Sequence, residues 1–577
     1  MSMVIIRFLK AHWFIFGLGF LFILPWIVFG HSLWQDFAAI DDGFLIVNNP
    51  IVHRLDAWHI KLAFTTFDPE LYIPLTLLSF QLNWLLGGGS PFIFHLTNIL
   101  LQSINALLVC ALFYSWTKRR SLALVAALFF AVHPINTEAV VWAAGRKDLL
   151  CTMFFLLSYL GFRKFEESRR ILPLALSICG FVLALLSKAM AATLPVVLLL
   201  DILLLRKERA AKSVFAALIP FAALAVLFLW IASFGKEHIL ASSSLWDTFV
   251  MAQKSSVFYL QKLLIPTGLT VIYPYQGAIS LKLLTFLIPL LINVALAGVV
   301  IWQWKKRPII SFGILFYFIT LAPTLFNFHK GDLLFFAVDR YAYLPGLGFL
   351  IVVLALGYEF LSWMKLPAVW YWLLPPIVIL AFGIGSIFQT HVWDTPDSLF
   401  GRSLALYPES VSARMAMGSI LRERNQLPEA FTVLHDGARY SDHPGLNIEA
   451  GLVYSANGQM DDAREQFRMA LSKDPTLAPA EYYLGFLDAH DGNEASAISW
   501  YKKAIGHDPS YVTVRVHLAE LLMKNKNFAE AEDQLNEALK WNPVSVEALQ
   551  AMVELKKLQK NSADLIYWQS VLKKAEE

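Results

Sequence analysis

Two adjacent carboxylates stand in Ile40-Asp41-Asp42-Gly43, shortly before Asn48-Asn49-Pro50. Such a pair can act as a general base or hold a cation, and a solvated Asx-rich turn is the structural alternative. Further along come His133-Pro134, Glu138, Gly145-Arg146-Lys147-Asp148, Lys188 and Asp339-Arg340-Tyr341. Arg and Lys converging on one point suit a phosphate, because Arg offers a planar fork of donors and Lys a point charge. His133 has no second His at ligand spacing, so it reads as a turn or helix-end residue rather than a metal ligand. Nucleophile-elbow, phosphate-loop, zincin and dinucleotide motifs are missing from the sequence, which leaves covalent nucleophilic catalysis without support.

These residues can cooperate only if apolar helices carry them to one face of a membrane. Of the 577 residues 57% are hydrophobic and 16% charged, against about 25% charged in soluble proteins. That excludes a wholly soluble globular protein, a disordered chain and a nucleic-acid binder. The three cysteines lie in apolar stretches and indicate no disulfide framework. The net charge of +3 hides a division: residues 1–392 hold 28 Lys and Arg against 17 Asp and Glu (+11), and residues 393–577 hold 19 against 27 (−8). Two different objects share one chain.

The hydropathy pattern predicts eleven spans, at about 11–30, 91–116, 121–134, 148–164, 171–187, 191–205, 213–233, 283–304, 308–325, 341–362 and 367–388. The first is too long, and too poorly followed by a cleavage site, for a removed signal peptide. Basic loops such as Lys118-Arg119-Arg120 and Lys305-Lys306-Arg307 put the N-terminus inside. The longer loops, including 31–90 with Asp41 and Asp42, then face outside, and so does everything after the last span. Residues 72–86 read as a helix lying at the outer interface.

After Trp393 the pattern turns periodic. Small residues recur at Gly418, Gly451, Gly485 and Ala519, then at Ala430, Ala463, Ala497 and Ala531, with Pro475, Pro509 and Pro543 closing the units. A spacing of 33–34 residues with these positions is the tetratricopeptide pattern. It predicts repeats at about 411–443, 444–477, 478–511 and 512–545 and a capping helix pair over 546–577. The expected division is therefore 1–392 for a membrane domain and 393–577 for a solenoid whose concave face binds protein.

The order of motifs resembles the transmembrane and tetratricopeptide-repeat O-mannosyltransferases and their bacterial relatives, which are GT-C glycosyltransferases. It is carried by Asp41-Asp42, Pro74-Leu75-Thr76, His95-Leu96-Thr97-Asn98, His133-Pro134 to Glu138, Gly145-Arg146-Lys147-Asp148, Leu186-Ser187-Lys188 and Asp339-Arg340-Tyr341, followed by the repeats. Two departures stand out: the array is shorter than in animal members, and Ala189 follows Lys188 where the family commonly has Glu.

The resemblance implies an all-α polytopic GT-C fold followed by a tetratricopeptide solenoid. It implies inverting transfer of a sugar, mannose or another hexose, from a polyprenyl-phosphate donor to a protein hydroxyl on the external face. Asp41 or Asp42 would be the base, and Arg146, Lys188 and Arg340 would hold the donor phosphate. Glu138, Asp148, His133 and Tyr341 would support them or meet sugar and acceptor. A divalent cation, magnesium or manganese, on Asp41 and Asp42 is a further option. The partners are the lipid-linked sugar, an acceptor protein on the solenoid and the bilayer, with no nucleic acid. The implied location is a bacterial inner membrane with periplasmic repeats, or an endoplasmic-reticulum membrane with lumenal repeats in a eukaryote. A glycosyltransferase or ligase acting on lipid A or an envelope glycan, and a non-enzymatic scaffold or transporter, are the competing readings.

Overall fold

The computed structural model describes residues 2–67, 71–206, 212–234, 244–326, 329–330, 333–365, 367 and 369–576. They divide into two compact units, one of residues 1–47 and 67–402, the other of residues 48–66 and 403–577.

The first unit begins with α1 (Ser2–Phe29), and the second contributes α2 (Ala57–Thr65) from the loop that follows. The first unit continues with α3 (Pro74–Gly87), α4 (Pro91–Thr117), α5 (Arg120–Val132), α6 (Thr137–Val141), α7 (Arg146–Ser168) and α8 (Ile171–Ser187). Then come α9 (Leu194–Leu200), α10 (Lys212–Ala216), α11 (Ile219–Phe234), α12 (Leu245–Leu264), α13 (Leu284–Lys306) and α14 (Pro308–Leu321). It closes with α15 (Gly346–Trp363), α16 (Trp370–His391) and α17 (Pro396–Leu406). Among the described residues the expected spans are largely helical, with 191–205 broken by 3-10 and π turns, 213–233 by a turn at 217–218, and 308–325 ending in a 3-10 turn.

Among the described residues five helices are long and apolar enough to cross a bilayer unaided, in His12–Trp34, Pro91–Thr117, Lys212–Phe234, Leu284–Lys306 and Leu373–His391. The bent pair α5 and Pro134–Val141 makes a sixth. The other apolar helices, such as Ile171–Ser187 and Pro308–Thr324, are shorter than the roughly 20 residues a lone span needs. The chain is a multi-pass membrane protein.

The 52° bend after α5 has a local cause. Pro134 cannot donate to the helix ladder and forces the residue before it out of the helical region. His133 accordingly sits at φ −69° and ψ 127°. The helix expected at 72–86 forms as α3, with Leu77, Phe80, Gln81 and Asn83 buried and Leu82, Leu85 and Leu86 exposed. A three-stranded antiparallel sheet in the order β1-β3-β2 (β1 Tyr273–Pro274, β2 His329–Lys330, β3 Leu333–Ala337) interrupts the helices. Its middle strand leads directly into the 3-10 turn Asp339–Ala342.

The second unit is a row of five antiparallel helix pairs: α18 (Val411–Glu423) with α19 (Leu427–Ala438), α20 (Pro444–Ala456) with α21 (Met460–Lys473), α22 (Ala478–His490) with α23 (Glu494–His507), α24 (Val512–Lys524) with α25 (Phe528–Trp541), and α26 (Val546–Leu558) with α27 (Ser562–Glu576). Four of these pairs lie within residues 411–545 and the fifth within 546–577. Small residues sit where paired helices touch: Ala463, Ala497 and Ala531 are fully buried. A Cβ on Gly451 would lie 2.5 Å from the Phe467 ring.

The boundary differs from the expected 392/393. Residues 393–402 stay with the membrane unit, because Gln35 Nε2 donates to Thr390 O (2.9 Å) and to Asp394 Oδ1 (2.5 Å). The repeats instead take residues 48–66 out of the first loop. Within that unit Trp58 packs against the core built from α22 to α27, and the turn Pro50–Val52 lies against α27.

Candidate active site

The site forms where α6, the start of α7, the end of α8 and the turn Asp339–Ala342 converge. Glu138 is buried in the first turn of α6. Its Oε2 accepts from the Arg340 backbone N–H (2.9 Å), and its Oε1 accepts from Arg340 Nη1. A carboxylate that receives both the main chain and the guanidinium of one residue sets where that residue can point. The Arg340 guanidinium then lies 4.8 Å from the Trp142 ring and 5.3 Å from the Tyr341 ring. From the far side Tyr273 O–H donates to Asp339 Oδ1 (2.7 Å), so the small sheet anchors the same turn.

Lys188 follows the last residue of α8 in an extended conformation, φ −164° and ψ 133°. This directs its Nζ to Asp148 Oδ1 (2.5 Å) and leaves it 5.2 Å from the Tyr341 ring. Lys147, buried in the same first turn of α7, places its Nζ 4.7 Å from the Trp142 ring. Asp41, Asp148, Lys188 and Arg340 all lie within its electrostatic reach. Three cations and three carboxylates thus share one pocket. Inside it three buried polar atoms have no hydrogen-bond partner among the described residues: Arg340 Nε, Trp142 Nε1 and Asp148 Oδ2. The first two are donors and the third an acceptor; an unmade bond of this kind costs about 1–3 kcal/mol, and the two donors point to a ligand that supplies acceptors.

The acidic pair splits into two roles. Asp42 is fully buried, and its oxygens accept from Ala144 N–H (2.9 Å) and Ala38 N–H (2.9 Å). Burial pushes its carboxyl up from 3.8 to about 7; the two amides and Lys147 oppose the rise and Asp41 adds to it. Asp41 is only half-buried and faces the cations. Both Asp42 oxygens accept backbone amides, which fixes the carboxylate within its loop.

Two sequence-predicted residues lie outside the cluster. Arg146 is fully buried, with Nε donating to Asn98 Oδ1 (2.8 Å), Nη2 to Phe94 O (2.7 Å) and Nη1 to Asn83 Oδ1 and Ser79 O. Its guanidinium joins α3 and α4 to α7 and commits four of its five N–H donors to those helices. Asn98, in turn, donates to Trp142 O (2.9 Å) and Val140 O (3.2 Å), which gives His95-Leu96-Thr97-Asn98 a scaffold role. His133 accepts from Ile135 N–H through Nδ1 (3.2 Å) and bonds Leu263 O through Nε2 (2.9 Å), so both ring nitrogens serve the bend rather than a sugar. Trp142 carries no signal in the sequence, and Lys147 enters it only as part of the motif Gly145-Arg146-Lys147-Asp148. Asp201, at the opposite end of α7, pairs with Arg163 (3.6 Å) and Arg206 (3.8 Å) in a separate buried network.

Beside the cluster runs a cavity of about 1070 Å³ bounded by α5, α15 and α16. Phe129, Leu350, Leu354 and Phe382 give it apolar walls, Arg119 stands at one end, and His133 and Tyr343 at the other. Tyr343 directly follows the turn that carries Arg340.

Comparison with known proteins follows this geometry. Family models described as tetratricopeptide repeat match residues 448–512 and 487–555. Protein O-mannosyl-transferase TMTC4 of Homo sapiens is 39% identical over 168 residues, covering 25% of this chain and 22% of that protein. Protein O-mannosyl-transferase TMTC1 of Mus musculus is 40% identical over 152 residues, covering 24% and 16%. Over these segments the chain is similar to protein O-mannosyl-transferases. It spans about a fifth of the length of the curated relatives it matches. Among solved structures, that of Pseudomonas aeruginosa pilF aligns over 32% of this chain and 82% of its own, at 15% identity and a TM-score of 0.28.

Proposed function

We propose that the chain is a GT-C-type membrane glycosyltransferase that moves a hexose, of the mannose class, from a polyprenyl-phosphate donor to a protein hydroxyl. The names of its relatives support protein glycosyl transfer. The observation that carries the reading is the pair of buried, unpartnered donors, Arg340 Nε and Trp142 Nε1, set between Lys147, Lys188 and Arg340 and next to half-buried Asp41.

In this reading the phosphate oxygens of the donor accept from Arg340 Nε and Trp142 Nε1, while Lys147 and Lys188 offset its charge. The prenyl chain lies in the apolar cavity along α5, whose end at Tyr343 adjoins the phosphate site. Asp41 takes the proton from the acceptor hydroxyl as its oxygen attacks the anomeric carbon from the face opposite the phosphate. The configuration therefore inverts, and the prenyl phosphate leaves as an anion already stabilised, with no general acid required. Glu138 and Asp148 position Arg340 and Lys188. Asp42 holds the loop that presents Asp41, and no step passes through a metal on this pair. The solenoid binds the acceptor protein on the same external side of the membrane.

The full chain in lipid nanodiscs, given polyprenyl-phosphate-mannose and candidate acceptor peptides, tests this. Transfer of one hexose with inversion, abolished by Asp41→Asn, is the expected result. Undiminished transfer in Asp41→Asn, or hydrolysis of only non-phosphate donors, would overturn it.

A further inference from the structure

A second cluster lies in the membrane unit, away from the site above and unused by its chemistry. His31 belongs to the 3-10 turn Gly30–Trp34 that ends α1, His391 is the last residue of α16, and Asp394 follows three positions later. Asp394 Oδ1 lies 2.8 Å from His31 Nε2, and its Oδ2 lies 3.0 Å from His391 Nδ1. The two imidazole centroids are 4.1 Å apart, and the three ligand atoms fall within 4.8 Å of one another.

We propose that His31, His391 and Asp394 bind a divalent transition-metal ion, zinc by preference, which ties the end of α1 to the end of α16. Two imidazoles and a carboxylate are the ligand types zinc selects, and three protein ligands leave its fourth position for water. Zinc bonds of about 2.0–2.1 Å place tetrahedral ligands roughly 3.3 Å apart. The cluster reaches that spacing by side-chain rotation, since its ligand atoms already lie this close. The side chains are 42%, 48% and 34% exposed in the order His31, His391, Asp394, so an ion can enter from solvent.

The carboxylate is also oriented from behind. Gln35, almost fully buried, donates from Nε2 to both Asp394 Oδ1 and Thr390 O. Partners of this kind fix ligand orientation in metal sites. The ion would act on the loop that begins at His31 and reaches Asp41 ten residues later, at whose far end Asp42 is clamped by Ala38 and Ala144. Its role is to position that loop. The ion does not touch the reacting atoms, and the site stands whether or not the transferase reading does.

The test uses the full chain in detergent, stripped with chelator and titrated with Zn²⁺ by calorimetry and with Co²⁺ by visible absorption. One equivalent per chain, a raised thermal midpoint and the intense bands of tetrahedral cobalt are expected. His31→Gln combined with His391→Gln should weaken binding more than tenfold, and Gln35→Ala about tenfold with the stoichiometry unchanged. Saturable binding as tight in the double variant as in the parent would overturn the proposal. So would an octahedral cobalt spectrum, or no stoichiometric binding, in the parent; these need no variant to fold. In that case the three side chains form only a hydrogen-bonded clamp.

Discussion

Asp41→Asn and Asp42→Asn should fail in opposite ways. Asp41 is half-buried and, among the described residues, its side chain accepts no backbone N–H, so an isosteric amide should shift stability by no more than about 0.5 kcal/mol. Losing a general base, by contrast, lowers turnover about 10²–10⁴-fold, or roughly 3–5 kcal/mol of barrier. Asp42 presents two acceptor oxygens to two backbone N–H groups, each at 2.9 Å. An Asn there keeps one acceptor and turns an NH₂ toward the other donor. The unmade bond costs about 1–3 kcal/mol, visible as a lower thermal midpoint of the purified chain. The comparison belongs near pH 4, because as pH rises from there toward 7 relief of the buried carboxyl's penalty increasingly offsets that loss. Transfer from polyprenyl-phosphate-mannose, read by mass spectrometry beside the melting curve, separates the two effects. If Asp42→Asn abolished turnover at an unchanged midpoint while Asp41→Asn stayed active, the assignment of roles would be refuted.

Other consequences can be checked with the same preparations. The Asp42 carboxyl is raised from 3.8 to about 7, chiefly by burial. Between those values the folded chain holds a proton that the unfolded chain has released, so stability should fall as pH rises through that window. The fall is at most roughly 4 kcal/mol, and thermal midpoints taken across pH should lose this slope in Asp42→Asn. Arg146→Lys should lower the midpoint by several degrees, because a single ammonium cannot replace the guanidinium contacts to Asn83, Phe94 and Asn98. Lys147→Met should instead raise the donor KM about tenfold or more at an unchanged midpoint, since its Nζ lies among the cations of the proposed donor site. Gly451→Ala would set a methyl 2.5 Å from Phe467 and should destabilise the repeats by about 1–3 kcal/mol, seen as faster proteolysis within 403–577 with transfer chemistry on small acceptors retained.

What the sequence reveals here follows the range of the interactions. Apolar runs and the 33–34-residue period are local patterns, so the helices and repeat pairs fall where those patterns place them. The side chains of the cluster were legible by type, yet Arg146 and Lys147 show where type is not enough. Neighbours on a helix point about 100° apart, and only the buried amides of Asn83 and Asn98 decide which cation faces α3 and α4. The need of those amides for a partner was a usable signal. Trp142 was hidden among apolar neighbours, because its indole N–H matters only once Arg340 is packed beside it. His133 followed its proline, and the bend it caps explains both nitrogens. His31 and His391 are 360 positions apart, so no spacing rule could have joined them.

The division of the first loop bears on how the solenoid can be studied. Residues 48–66 lie with the repeats, and Trp58 packs against the core of α22 to α27, while Asp41 and Asp42 stand a few residues upstream in the other unit. The chain therefore crosses between its units three times rather than once, and the repeats are no removable cassette. Deleting them would strip Trp58 of its packing and loosen the strand of sequence that leads away from Asp42, so lost activity after truncation could not be credited to lost acceptor binding. A chimera that borrows another array must carry its own version of residues 48–66. Concave-face substitutions that leave α26 and α27 intact are the cleaner way to ask what the repeats hold.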